Sequence, residues 1–149
     1  MKDNVLFVCV HNSARSQMAE AFLPAAAGDL FDVFSAGIEA GAMNRLVVDV
    51  MAEIGFDLSR AYAKPLSAPE IAGRAYRYVI TVCAESDGER CPVVPTQGRR
   101  EHWSFPDPSA LTGTIDERRA QTRRIRDAIR DTVEAWAAAR RAERTRAAP

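Results

Sequence analysis

The sequence predicts an α/β protein in which helices cover both faces of a parallel sheet. Short apolar runs alternate along the chain with stretches of helical periodicity, and this alternation is typical of parallel sheets. The first run, residues 5–9, is continuously apolar, as expected for a strand buried on both faces. A long helical pattern closes the chain, with apolar residues at intervals of three to four at Ile125, Ile129, Val133 and Trp136.

Local signals place the elements of the first half. Strands and helices are predicted alternately, over residues 5–9 (strand), 16–27 (helix), 30–37 (strand) and 44–55 (helix). Gly37 ends the second strand at a turn. Asn44 is an N-cap residue for the second helix, and Gly55 is a glycine stop.

The second half is less regular. A short helix capped by Ser67 is predicted first, and aromatic and β-branched residues then predict a strand over 76–83. A weak fourth strand over 99–105 precedes a proline-bounded loop. The final helix begins near Ile115, and the basic tail formed by the last dozen residues is predicted to fray.

Composition narrows the function classes. A chain of 149 residues fits a single domain over 1–149. Basic and acidic residues balance at 20 each, so no nucleic-acid partner is expected. No apolar run approaches the roughly 18 residues of a membrane span, and no secretory signal is recognised. We expect a cytoplasmic monomer. Its three cysteines suggest reactive or core thiols and not a disulfide framework.

One cysteine lies where a parallel sheet binds ligands. Cys9 ends the first strand, and a helix follows a loop of five residues. Such a loop can turn its N–H groups toward an anion, and the helix N-terminus adds partial positive charge. The predicted oxyanion-binding residues are Val10, His11, Asn12, Ser13, Ala14 and Arg15. The Arg15 guanidinium can hold two anion oxygens, and the Ser16 hydroxyl can donate to a Cys9 thiolate.

An acid is available in the proline-bounded loop. Asp107 lies between two prolines, which restrict the backbone. A carboxylic acid there can protonate an oxygen that leaves the anion. On composition alone, an ordinary turn aspartate is an equally good interpretation.

The other two cysteines are distant in sequence. Cys83 ends the third strand as Cys9 ends the first, and Cys91 follows after a polar segment of seven residues. A helical segment would separate the two Cα atoms by ~12 Å, whereas a disulfide requires roughly 4.4–6.8 Å. A bond between them therefore needs a loop there. A core residue and an incidental surface thiol remain the alternative, and the spacing does not favour a metal site.

The motifs together resemble a known family. The segment "CVHNSARSQMAE" is similar to the C-x5-R-S loop of thioredoxin-coupled arsenate reductases with the low-molecular-weight tyrosine phosphatase fold. The segment "EHWSFPDP" is similar to the family's "HW-x-F-x-DP", and "VITVCAESDGERCPVVP" to its stretch with two redox cysteines. The resemblance implies the strand order 2-1-3-4.

The resemblance also implies a mechanism. Cys9 attacks arsenate while Asp107 protonates the departing oxygen. Oxidation then passes from Cys9 through Cys83 to Cys91, and thioredoxin reduces the final disulfide, so no bound cofactor is needed. Ala14 stands where many relatives have a second loop cysteine.

A cation site is also implied for some relatives. They bind potassium beside the loop, and Asn12, Glu20 and Ser35 resemble part of that site. Lys64 stands where a further carboxylate is expected, so a tight potassium site is not predicted.

Three other functions remain open. A tyrosine phosphatase uses the same loop and acid without the distant cysteines, although Ser109 replaces the aromatic residue that usually follows its Asp-Pro. The second alternative is a reductase that takes electrons from a small thiol, and the third is a non-catalytic oxyanion-binding domain.

Overall fold

The computed structural model describes residues 1–84 and 94–148. Within these two ranges, four strands form one sheet: β1 (Asp3–Cys9), β2 (Phe31–Gly37), β3 (Tyr78–Thr81) and β4 (Arg99–His102). The α-helices of the same ranges are α1 (Arg15–Ala27), α2 (Arg45–Ala52) and α3 (Ile115–Ala147), and a 3-10 turn spans Pro108–Ala110.

The sheet is parallel throughout, in the order β2-β1-β3-β4. This confirms the predicted topology. Cys9 pairs in register with Gly37 of β2. On the other side Val8 pairs with Thr81, and the Val82 N–H donates to the Val8 carbonyl at 2.9 Å. The carboxyl ends of β1, β2 and β3 therefore meet at one edge.

All three helices pack on one face of the sheet. Their apolar side chains join alternate residues of β1, such as Phe7, in the larger core cluster. The four residues predicted as the apolar stripe of α3 are all buried there: Ile125, Ile129, Val133 and Trp136. In the described part of the chain, the opposite face is covered by Leu66, Ile71 and neighbouring residues.

The segment that covers this second face does not form the helix that was predicted for it. Residues 66–73 form successive turns, without the predicted helix capped by Ser67. Gly73 adopts a positive φ of 80°, so a helix capped by Ser67 cannot continue through it. The prediction of a helix in this segment is therefore wrong.

The basic tail also differs from the prediction of fraying, because α3 continues to Ala147. Arg141 donates to both carboxylate oxygens of Asp29 at 2.8 Å, and Arg144 contacts Asp3 at 2.6 Å. These ion pairs hold the last turns of α3 against the sheet. No helix in the described ranges is both long and apolar enough to span a membrane.

Candidate active site

The loop between β1 and α1 turns its carbonyls away from the site. The carbonyls of Val10, His11 and Ser13 accept from the N–H groups of residues 39, 41 and 44, at 3.1, 3.1 and 3.0 Å. In a planar trans peptide the N–H points opposite to the carbonyl. The N–H groups of His11, Asn12 and Ala14 therefore face the concave side. This is the geometry of an anion nest.

Cys9 lies at the base of this nest. Its sulfur accepts from the Asn12 N–H at 3.1 Å and is 3.0 Å from the Ser16 hydroxyl. Cys9 is 3% exposed, and Ser16 is fully buried in the first turn of α1. A backbone N–H and a hydroxyl group thus converge on one sulfur at the N-terminus of α1.

Asn12 fixes the shape of the loop. Its φ is +54°, and among the described residues other than glycine it alone has a positive φ. Its side-chain nitrogen donates to Ser16 at 2.7 Å and to Ser35 at 3.0 Å. Its side-chain oxygen accepts from the Lys64 N–H at 2.9 Å and from Gln17 at 3.1 Å. Asparagine tolerates the left-handed region, and here every hydrogen-bonding direction of its amide is used.

Gly37 allows β2 to approach this loop. A Cβ atom at residue 37 would lie 2.7 Å from the Val10 carbonyl oxygen and 2.8 Å from the Asn12 nitrogen. Both contacts are with backbone atoms, so no side chain can move aside to relieve them. The sequence indicated only a turn glycine here, whereas the structure gives it a role in the site.

The arginine and the acid lie at the rim. Arg15 is 3% exposed, and its Nη1 donates to the Phe105 carbonyl at 3.1 Å. Its Nη2 lies 3.9 Å from the Asp107 carboxylate. The other Asp107 oxygen accepts from the Ser109 N–H at 2.9 Å, which holds the carboxyl at the start of the 3-10 turn. The structure thus brings the predicted acid to the predicted loop.

Cys83 lies just past β3, on the same edge of the sheet as Cys9. It follows Val82, whose N–H bonds to β1, and its side chain is fully buried in the larger core cluster with Cys9. The predicted strand over 76–83 is shorter in the structure, since β3 ends at Thr81. Cys91, the third predicted redox residue, lies outside the described residues.

Gln17 is a site residue that sequence reasoning missed. It is 2% exposed, and its side-chain nitrogen contacts the backbone and side-chain oxygens of Asn12 and the Tyr62 carbonyl, all within 3.1 Å. The only signal in the sequence was a polar residue in the first turn of the predicted helix. Its partners depend on the tertiary fold, so the sequence alone did not identify them.

Comparison with known proteins identifies the family. The sequence profile of the low molecular weight phosphotyrosine protein phosphatase family matches residues 4–146. The chain belongs to this family.

Relatives within the phosphatase family include arsenate reductases. The arsenate reductase of Bacillus licheniformis is 39% identical over 136 residues, covering 91% of this chain and 96% of the relative. The crystal structure of an arsenate reductase from Archaeoglobus fulgidus superposes with a TM-score of 0.71 at 32% identity, covering 90% and 98% of the two chains. A thioredoxin-dependent arsenate reductase of Corynebacterium glutamicum matches with a TM-score of 0.58 at 31% identity, covering 90% of this chain and 63% of that one.

Proposed function

We propose that this protein reduces arsenate to arsenite and draws its electrons from thioredoxin through an internal cysteine relay. The observation that carries the proposal is the position of Cys83, buried immediately beyond the strand that pairs with the strand of Cys9. A phosphatase needs only the loop and the acid. A second thiol on the same edge of the sheet supports a redox reaction.

The first step is an attack by Cys9 on arsenic. An S–As bond forms as one As–O bond breaks, and Asp107 supplies the proton with which the oxygen leaves as water. Arg15 holds the remaining oxygens with its planar donors, and the N–H groups of the nest stabilise their charge. Arsenic remains arsenic(V) in this adduct.

The relay then moves two electrons. The Cys83 sulfur attacks the Cys9 sulfur, an S–S bond forms, and the electron pair of the S–As bond goes to arsenic, which leaves as arsenite. Cys91 next attacks Cys83, so that a Cys83–Cys91 disulfide forms and the Cys9 thiolate is released. A thioredoxin dithiol reduces this disulfide by exchange. No bound cofactor enters the cycle.

One structural neighbour supports the choice of thioredoxin as the reductant. The Corynebacterium glutamicum neighbour is described as thioredoxin-dependent. We place the reaction in the cytoplasm, where thioredoxin keeps thiols reduced.

The test incubates the protein with arsenate, thioredoxin, thioredoxin reductase and NADPH, and measures NADPH oxidation and arsenite formation. The wild-type chain should turn over repeatedly. Cys91→Ser should release one arsenite per chain and stop with a Cys9–Cys83 disulfide, detected as a mass loss of two hydrogens. Cys83→Ser should release none. Hydrolysis of an aryl phosphate, which needs only the loop and Asp107, should persist in both variants and serves as the folding control.

The phosphatase itself is the second candidate, favoured by the family to which the chain belongs. Rapid aryl phosphate hydrolysis without arsenate reduction would establish it and would refute the reductase proposal. Ser109 follows the Asp107–Pro108 pair and offers no aromatic surface for a phenyl ring. This supports a small inorganic substrate.

A further inference from the structure

A chain of hydrogen bonds leads from the nucleophile to a carboxylate behind the loop. Ser35 donates to Glu20 at 2.9 Å, and Asn12 donates to Ser35 at 3.0 Å and to Ser16 at 2.7 Å. The Ser16 hydroxyl, which accepts from Asn12, also lies 3.0 Å from the Cys9 sulfur. Glu20 therefore lies at the far end of the network that orients the Ser16 hydroxyl.

Lys64 lies against this carboxylate. Its Nζ is 4.0 Å from Glu20 Oε1 and donates to the Tyr62 carbonyl at 3.3 Å, and the Lys64 side chain is only 11% exposed. Burial raises the pKa of Glu20 above its ordinary value, whereas Lys64 and the Ser35 hydrogen bond lower it. An unpaired carboxylate at this place would oppose an anion bound in the loop.

The backbone fixes the position of Lys64. The Gly37 N–H donates to the Lys64 carbonyl at 2.8 Å, and the Leu66 N–H donates to the Gly37 carbonyl at 2.9 Å. These bonds pair residues 64–66 with the end of β2. They also bring the Lys64 N–H to the Asn12 side-chain oxygen at 2.9 Å. One residue thus holds the loop through its backbone and faces Glu20 through its side chain.

A potassium ion does not fit this arrangement. Of the residues that resemble a potassium site, Glu20 has a carboxylate oxygen that already accepts from Ser35 and lies 4.0 Å from the Lys64 ammonium. The Lys64 ammonium already faces Glu20 and would repel a second cation.

We propose that Lys64 is a built-in cation that takes the place of potassium. As a positioning residue, it neutralises Glu20 and so supports anion binding in the Cys9–Arg15 loop without a bound monovalent ion. The inference rests on the proposed function for its role in arsenate reduction. Anion binding and stability test it separately from turnover.

The experiment measures binding of inorganic phosphate and thermal unfolding near neutral pH, in potassium chloride and in choline chloride of equal ionic strength. The wild-type chain should have the same phosphate affinity and the same unfolding temperature in both salts. Lys64→Gln should bind phosphate about threefold to tenfold more weakly in choline chloride, because a partly exposed carboxylate is left unpaired. Potassium chloride should restore much of that affinity and raise the unfolding temperature of this variant only.

Three controls isolate the charge. Lys64→Arg should keep the potassium-independent behaviour, and the double variant Glu20→Gln/Lys64→Gln should recover phosphate affinity and lose the potassium response. Lys2, which faces Asp32 at 3.9 Å on the surface, is the chain's other lysine, and Lys2→Gln should change neither measurement.

Two outcomes would overturn the proposal. One is that potassium stabilises the wild-type chain as strongly as it stabilises the Lys64→Gln variant. The other is Lys64→Gln matching wild type in both salts. A wild-type chain that fails to reduce arsenate would refute the proposed function alone, since neither measurement requires turnover.

Discussion

Replacement of Asn12 tests whether its side-chain amide holds the catalytic loop. The residue is fully buried and has a φ of +54°. Asn12→Ala removes the amide and places a Cβ-bearing residue without polar contacts in the left-handed region. Asn12→Gly removes the same amide but tolerates the backbone angle. The difference between the two variants therefore isolates the backbone strain from the lost hydrogen bonds.

The expected magnitude follows from the contacts. The Asn12 amide makes four hydrogen bonds, two as donor to Ser16 and Ser35 and two as acceptor from Gln17 and Lys64. At about 1 kcal/mol net for each, their loss lowers the free energy of unfolding by about 4 kcal/mol. The left-handed conformation costs alanine about 1 kcal/mol more. We expect losses of about 5 kcal/mol for alanine and about 4 kcal/mol for glycine.

Urea denaturation followed by tryptophan fluorescence measures both values. Asn4→Ala is the matched control, because Asn4 makes a single exposed hydrogen bond to the Ala75 carbonyl, and it should cost under about 1 kcal/mol. Losses below about 1 kcal/mol in both Asn12 variants would refute the claim that the amide holds the loop. Equal losses in the two variants would refute the contribution of backbone strain.

Three further predictions concern the contact of Gly37 with the loop after β1, the packing of the core, and the pH dependence of stability. Gly37→Ala should abolish phosphate binding and lower the free energy of unfolding by at least about 2 kcal/mol, because its Cβ would meet loop backbone at 2.7 Å; unchanged phosphate affinity would contradict this. Ile129→Ala should cost about 2–5 kcal/mol in urea, whereas Ile115→Ala, at a position 53% exposed, should cost under about 0.5 kcal/mol. Hydrogen bonds from Arg123, and to a smaller extent from Arg126, lower the pKa of Glu53 from 4.5 to about 2. Their stabilisation should therefore be present above pH 4.5 and lost as pH falls toward 2. Acid titrations of unfolding that coincide for Arg123→Gln and wild type would contradict the Arg123 contribution.

The fold was largely predictable where local signals agreed with burial. Asn44 caps α2, accepting from the Val47 N–H, and Gly55 has a φ of +88° beyond the helix end, as the sequence indicated. The tail of α3 was mispredicted because its stability depends on distant partners. Asp29 and Asp3 are far away in sequence, and nothing local to the tail reveals that they anchor it.

The site likewise has features that the sequence predicts and features that depend on tertiary contacts. The convergence of Cys9, Arg15 and Asp107 was predictable because each lies in or beside a loop of recognisable sequence, and the parallel sheet brings such loops to one edge. The contribution of Lys64 to loop geometry was not predictable, because its bond to Asn12 uses the backbone N–H. Every residue except proline has a backbone N–H, so the residue type does not indicate which one makes this bond. Only the pairing of residues 64–66 with the end of β2 brings it to the loop.

Burial of the two described thiols bears on the choice between reductants. Cys9 is 3% exposed and Cys83 is fully buried, so an external thiol has little access to a disulfide formed between them in this arrangement. Exchange requires in-line contact of the attacking sulfur with one of the bonded sulfurs. In the proposed relay, Cys91 of the same chain makes that attack without diffusing in and carries the oxidation onward. The burial therefore supports an internal relay over direct reduction by a small thiol. Reduction of the trapped disulfide of Cys91→Ser by a small thiol as fast as wild-type turnover would reverse this conclusion.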